Sequence, residues 1–99
     1  MQYFLCKLIP PRPAFNMDMS PDEAAAMKEH SIYWNEKAKE GIAIAVGPVA
    51  DPSGVWGVAI CELPDGQSME EITAADPVNA KIPGTRWEVY PMPGIILRK

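Results

Sequence analysis

Basic charge is scarce in this sequence: nine Lys and Arg stand against thirteen Asp and Glu, a formal net charge of -4. Nucleic-acid footprints are basic patches or stripes, so nucleic acid is not an expected partner. Histidine occurs once, and the two cysteines, Cys6 and Cys61, lie far apart rather than in a CxxC pair. No zinc motif is recognisable; Cys6, Cys61 and His30 would need Asp76 to complete a tetrahedron, and no metal is expected. Glycine patterns are lacking too. Gly54-Val55-Trp56-Gly57 fits neither a dinucleotide fingerprint nor a phosphate loop, and no GxSxG elbow occurs, so no cofactor is expected. Long apolar runs are also missing. The apolar stretch at residues 2–9 follows no basic leader and is stopped by Pro10-Pro11, too soon to span a membrane or direct export. The expected setting is the cytoplasm, with no membrane partner and with both thiols buried and free.

What is present is a globular composition, 47% apolar and 22% charged over 99 residues. That length gives one domain, residues 1–99, with a modest core and room for only a shallow site unless a second subunit completes it.

Pattern and punctuation divide the chain into six elements. Residues 2–9 read as a strand, apolar on both faces and therefore central. Residues 10–19, with three prolines, Asn16 and Asp18, read as a loop. Ser20, Pro21 and Glu23 then form a capping box with proline at the first helical position. The helix should run to about Glu40 and stop at Gly41, burying Ala24, Met27, Ser31, Trp34 and Ala38, with His30 on the border of that stripe. Residues 42–47 and 55–62 read as strands, Pro48 ending the first. Ser68 and Glu71 mark a second capping box for a short helix that Asp76-Pro77 closes or kinks. Residues 86–90 alternate as a last strand, and the tail to Lys99 is placed to add an edge strand or to pack on a partner. The order βαββαβ is the ferredoxin-like arrangement. One sheet face takes both helices. The other would be bare, yet the first and third strands make it apolar, so a homodimer with face-to-face sheets is expected.

His30 is the only side chain whose unperturbed titration lies near neutrality. It reads as a general acid or base if a carboxylate orients it, or else as a border histidine bonded to a carbonyl or water. Asp76 is the carboxylate of most interest, because the topology puts both helices on one sheet face; turn capping is its alternative. Arg86, Glu88 and Tyr90 share one face of the last strand, opposite Trp87 and Val89. Arg86 or Arg12 is placed to clamp a carboxylate, and a salt bridge is the other reading of Arg86. Trp56 and Trp87 read as pocket lining or as core.

A strand opening at Met1, a helix carrying Glu29-His30, a strand ending in Gly47-Pro48, and Ala75-Asp76-Pro77 before the last strand occur in that order. In these features residues 1–93 resemble the YCII-related proteins, small dimeric members of the α+β barrel group. The resemblance implies a dimeric α+β barrel, and a site in which His30 pairs with Asp76 near the dimer's sheets. One branch of the family is similar to chloromuconolactone dehalogenases, and the wider group includes muconolactone isomerases, heme-handling enzymes and cofactor-free monooxygenases. The implied function is therefore a lyase, isomerase or dehalogenase acting by proton transfer on a small organic acid or lactone. The alternative is a non-catalytic dimer binding a small organic metabolite. The sequence departs from the commoner pattern in residues 10–19, an insertion-like loop placed to cover the pocket.

Overall fold

In a computed structural model, which describes residues 1–98, the central strand is β1 (Gln2–Ile9). It pairs antiparallel with β3 (Trp56–Leu63) on one side and β4 (Arg86–Met92) on the other, while β2 (Ala43–Val49) pairs with β3. The sheet order is β2-β3-β1-β4. This is the α+β, ferredoxin-like order that the pattern of elements requires. Two flanking strands explain why β1 is apolar on both faces. Phe4, Cys6 and Leu8 are buried beneath the helices, and Tyr3, Leu5 and Ile9 lie on the opposite face, where Leu5 sits between Ile60 and Tyr90.

The long helix, α2 (Pro21–Lys39), starts and stops where its caps dictate. The Ser20 hydroxyl accepts from the Glu23 N–H, and the Glu23 carboxylate accepts from the Ser20 N–H. At the other end Gly41 adopts φ 84°, and the N–H groups of Gly41 and Ile42 return to the carbonyls of Ala38 and Lys37. The buried face differs from the expected stripe. Ala26 and Trp34 are buried and Met27, His30, Tyr33 and Lys37 half-buried, whereas Ala24, Ser31 and Ala38 are exposed. Ala24-Ala25-Ala26 makes the first turns apolar all round, so spacing alone cannot choose a face. Hydrogen bonds choose it instead: the Tyr33 hydroxyl donates to the Ile72 carbonyl and the Trp34 indole donates to Asp76.

Residues 10–19 are not all loop. Phe15–Asp18 form one helical turn, α1, because Phe15 is buried among Leu8, Ala26, Val78 and Ile82. Arg12 fastens this segment, pairing with Asp18 at 2.8 Å and Glu23 at 2.6 Å and lying over the Phe15 ring. The second cap is half of a box: Glu71 N–H donates to Ser68 Oγ, while the Ser68 hydroxyl turns to Glu70. It starts α3 (Met69–Ala74), and after Asp76-Pro77 a further short helix, α4 (Val78–Lys81), follows. Pro48 does not end β2 but lies within it, opposite Gly57, and β4 continues through Pro91 to Met92. Both strands are at sheet edges, where a missing N–H removes no ladder bond that the sheet needs. Cys6 and Cys61 are free and fully buried. The Cys6 thiol is pushed far above its ordinary range by its hydrogen bond with Cys61 and by burial. Residues 93–98 form no strand, and Ile96 is fully exposed; Lys99 lies outside the described residues. No helix among the described residues is long and apolar enough to cross a membrane.

Candidate functional site

Asp76 is 2% exposed, and every donor around it is accounted for. Its Oδ2 accepts from His30 Nδ1 at 2.6 Å and from Trp34 Nε1 at 2.6 Å, and its Oδ1 accepts from the Val78 N–H at 3.0 Å. His30 and Trp34 reach the same oxygen because residues four apart lie one above the other on a helix. Asn79 holds the turn that carries the carboxylate, its amide bonding the carbonyls of Thr73, Ala74 and Asp76. An ionised carboxylate only accepts hydrogen bonds, so the His30 proton on this side must sit on Nδ1. In the neutral ring Nε2 then carries the lone pair. It has no protein partner among the described residues.

His30 borders a cavity of about 610 Å³ on the helical side of the sheet. Leu8, Gly57 and Trp87 form part of its floor, and Met27, Ser31 and Asn35 of α2 part of one wall. Opposite them stands the uncovered side of β2, and Phe15, Asn16 and Met19 close one end. Small side chains on the facing elements, Ser31 and Ala38 of α2 and Ala43, Ala45 and Gly47 of β2, help leave this space open. Residues 10–19 thus do cover part of the pocket. A single chain builds this cavity, on the face opposite the one expected to meet a second subunit.

The lining contains no Lys, Arg, Asp or Glu among the described residues. Arg12 is engaged with Asp18 and Glu23 and borders a separate hollow of about 300 Å³. The same pairing holds the Glu23 carboxyl down to about 2. Arg86 and Tyr90 lie on the helix-free face, both bonded to Glu88, at 3.3 Å and 2.8 Å. The two arginines therefore do not meet His30 as anion clamps: one is neutralised by its own loop, and strand alternation sends the other through the sheet. Trp56 stands at the margin of both hollows, with its indole donating to Asp51 at 3.1 Å and Lys7 over its ring. No three His, Cys, Asp or Glu side chains converge as metal ligands among the described residues.

Two contributions near the dyad escaped sequence reasoning. Trp34 was readable as core, yet a buried indole N–H needs an acceptor, and its spacing from His30 points to the same one. The other is Thr85, which joins Trp87, readable as pocket lining, on the cavity side at the start of β4. Thr85 Oγ1 and Trp87 Nε1 are buried and have no hydrogen-bond partner among the described residues. An unpaired buried group of this kind costs about 1–3 kcal/mol.

With the site in view, comparison with known families is decisive for the fold. The sequence model of the YCII-related domain matches residues 1–93. The chain belongs to this family. Among curated proteins none matches the chain. Within this YCII-related domain, His30 and Asp76 are thus a buried pair at one wall of an uncharged cavity. Such a pair is equipped to accept a proton at Nε2 and to stabilise the resulting imidazolium.

Proposed function

We propose that this YCII-related domain moves protons on a small carbonyl compound of the lactone class, as an isomerase, lyase or dehalogenase. His30 is the acid and base, and Asp76 orients it. The observation that carries this reading is the 2.6 Å bond between His30 Nδ1 and the buried Asp76, which leaves Nε2 for the cavity. The Nε2 lone pair takes a proton from a carbon beside the carbonyl, or from one joined to it through a conjugated double bond. The C–H electron pair moves into the carbonyl, whose oxygen becomes negative, while Asp76 stabilises the imidazolium. For isomerisation, Nε2–H returns a proton to the far carbon of the conjugated system. For elimination, the electron pair expels a leaving group such as halide, and Nε2–H passes its proton to solvent. An uncharged lactone suits the lining better than a free organic acid, because no Lys or Arg among the described residues borders the cavity.

A second copy belongs to the proposal as well. Tyr3, Leu5, Val58, Ile60 and Tyr90 leave the helix-free face apolar at its centre. A homodimer joined through this face should sediment at twice the 10.9 kDa chain mass. Two unlinked, buried thiols support a cytoplasmic setting.

The test of the chemistry is turnover on a panel of unsaturated and halogenated lactones, followed by proton NMR. Turnover by the wild type that H30A abolishes supports the enzyme. Saturable binding without turnover across the panel replaces it with the binding module.

A further inference from the structure

We infer that Thr85 and Trp87 form a subsite for the oxygen of an uncharged carbonyl ligand, beside His30. This inference deepens the proton-transfer reading and rests on it for the neighbouring chemistry. Two indoles pack at the dyad, with ring centroids 5.4 Å apart, and their N–H groups have different fates. That of Trp34 is bound to Asp76; that of Trp87 is buried and unbound. The Trp87 ring centroid lies 6.4 Å from that of His30, and both residues line the cavity.

Thr85 is fixed independently of any ligand. Ile82-Pro83-Gly84-Thr85 closes through the Thr85 N–H to the Ile82 carbonyl, with proline second and Gly84 third at φ 88°. That is the residue order a type II turn demands. A side chain at Gly84 would stand 3.2 Å from Pro11, so the turn is also wedged against the covering segment. Thr85 and Trp87 then project to one side of β4, because alternate strand residues share a face. Both side chains line the cavity and both hold an unpartnered buried polar atom.

The chemistry of these atoms specifies the ligand. An indole N–H only donates, and a hydroxyl donates as readily as it accepts. Two donors ask for an oxygen acceptor. With no Lys or Arg in the lining, that oxygen belongs to an uncharged ester, lactone or ketone rather than to a carboxylate. In proton transfer the same oxygen gains the electron pair released from carbon. Donors fixed beforehand at that point stabilise the charge as it develops.

The experiment uses 5-methylfuran-2(5H)-one as probe and 2-methyl-2,5-dihydrofuran as its carbonyl-free counterpart. The Trp87 indole N–H is followed by NMR in the whole chain, its resonance assigned by loss in W87F. The expected result is a downfield shift of Trp87 with the lactone, none with the carbonyl-free ring, and the same shift in H30Q. Thr85→Val should weaken lactone binding about tenfold, the equivalent of one neutral hydrogen bond. If W87F does not fold, assignment by through-space contacts to His30 and T85V binding decide the matter. An unmoved Trp87 resonance at saturating lactone, unchanged affinity in T85V, or no lactone binding at all overturns the subsite. Proton exchange separates the two proposals. A Trp87 shift without deuterium uptake by the probe in heavy water keeps the subsite and overturns the chemistry. Uptake by the wild type, lost in H30Q, with Trp87 unmoved does the reverse.

Discussion

The two faces of β4 solve the same problem in opposite ways. On the helix-free face, Arg86, Glu88 and Tyr90 bond one another in the open, so every polar group has a partner or solvent. On the cavity face, Thr85 and Trp87 hold buried polar atoms with no partner among the described residues, and they line the same cavity as a histidine whose own partner is secured. A strand exposed to water can leave its polar side chains to arrange themselves. Within a cavity an unpaired donor is a standing cost, and the fold retains two at one place. The side of β4 richer in charge is therefore the less informative about chemistry.

The sharpest way to break this contrast is at Asp76. Asp76→Ala leaves the Trp34 and Val78 N–H groups buried without acceptors, and should cost about 3 kcal/mol in urea unfolding. Asp76→Asn should cost less stability but as much activity. Wherever its NH₂ lies, it faces an N–H donor; directed at His30, it moves the ring proton from Nδ1 to Nε2. Nitrogen chemical shifts of the ring should report that exchange of tautomers, with turnover falling about 10²-fold or more. Unchanged shifts in a folded variant would remove Asp76 from its orienting role.

The two indoles give a smaller and more direct comparison. Trp34→Phe takes a donor from Asp76 and should destabilise by about 1–2 kcal/mol. Trp87→Phe removes a donor that is unpaired among the described residues, and should cost less than Trp34→Phe, its loss coming from packing alone. Equal losses in the two variants would show that the hydrogen bond of Trp34 adds nothing beyond packing.

At the covering segment the expected effect depends on pH. The Glu23 carboxyl lies below its ordinary 4.5, at about 2, chiefly through its hydrogen bond with Arg12. A lowered carboxyl contributes its stability above the unfolded value and loses it as pH falls. The hold of Arg12 on α2 should therefore weaken between about pH 4.5 and 2. Amide exchange at Phe15 and Met17 should rise across that window in the wild type and show no such rise in E23Q. The smallest effect belongs to the open face. The Tyr90 phenol is raised, first by its bond to Glu88. Glu88→Gln should bring its ultraviolet titration back down toward 10 without changing thermal stability.

Much of the fold was legible because the chain is heavily punctuated. Pro10-Pro11 ends β1, Ser20-Pro21 with Glu23 opens α2, and Gly41 closes it. These signals are local, and local geometry obeys them. The roll of α2 was not legible, since an alanine triplet offers every face alike and the choice fell to Tyr33 and Trp34 through distant acceptors. His30 and Asp76 could be placed on one side of the sheet from topology, although 46 residues separate them. Arg12 misled for a reason of the same kind. A sequence shows a positive charge but not whether it is already spent, and Arg12 finds its counter-charges at Asp18 and Glu23. Thr85, and the unpaired state of the Trp87 indole, were the least legible, because lacking a partner is a property of the assembled protein.

Pro48 and Pro91 occupy the two outermost strands, one on each side of the sheet. An open strand edge is a template on which another chain can add its own strand, the step from which fibrous aggregates grow. A proline in each outer strand interrupts the row of N–H groups that such a guest would need. Crowded copies of this chain are thereby discouraged from zipping edge to edge into an endless ribbon.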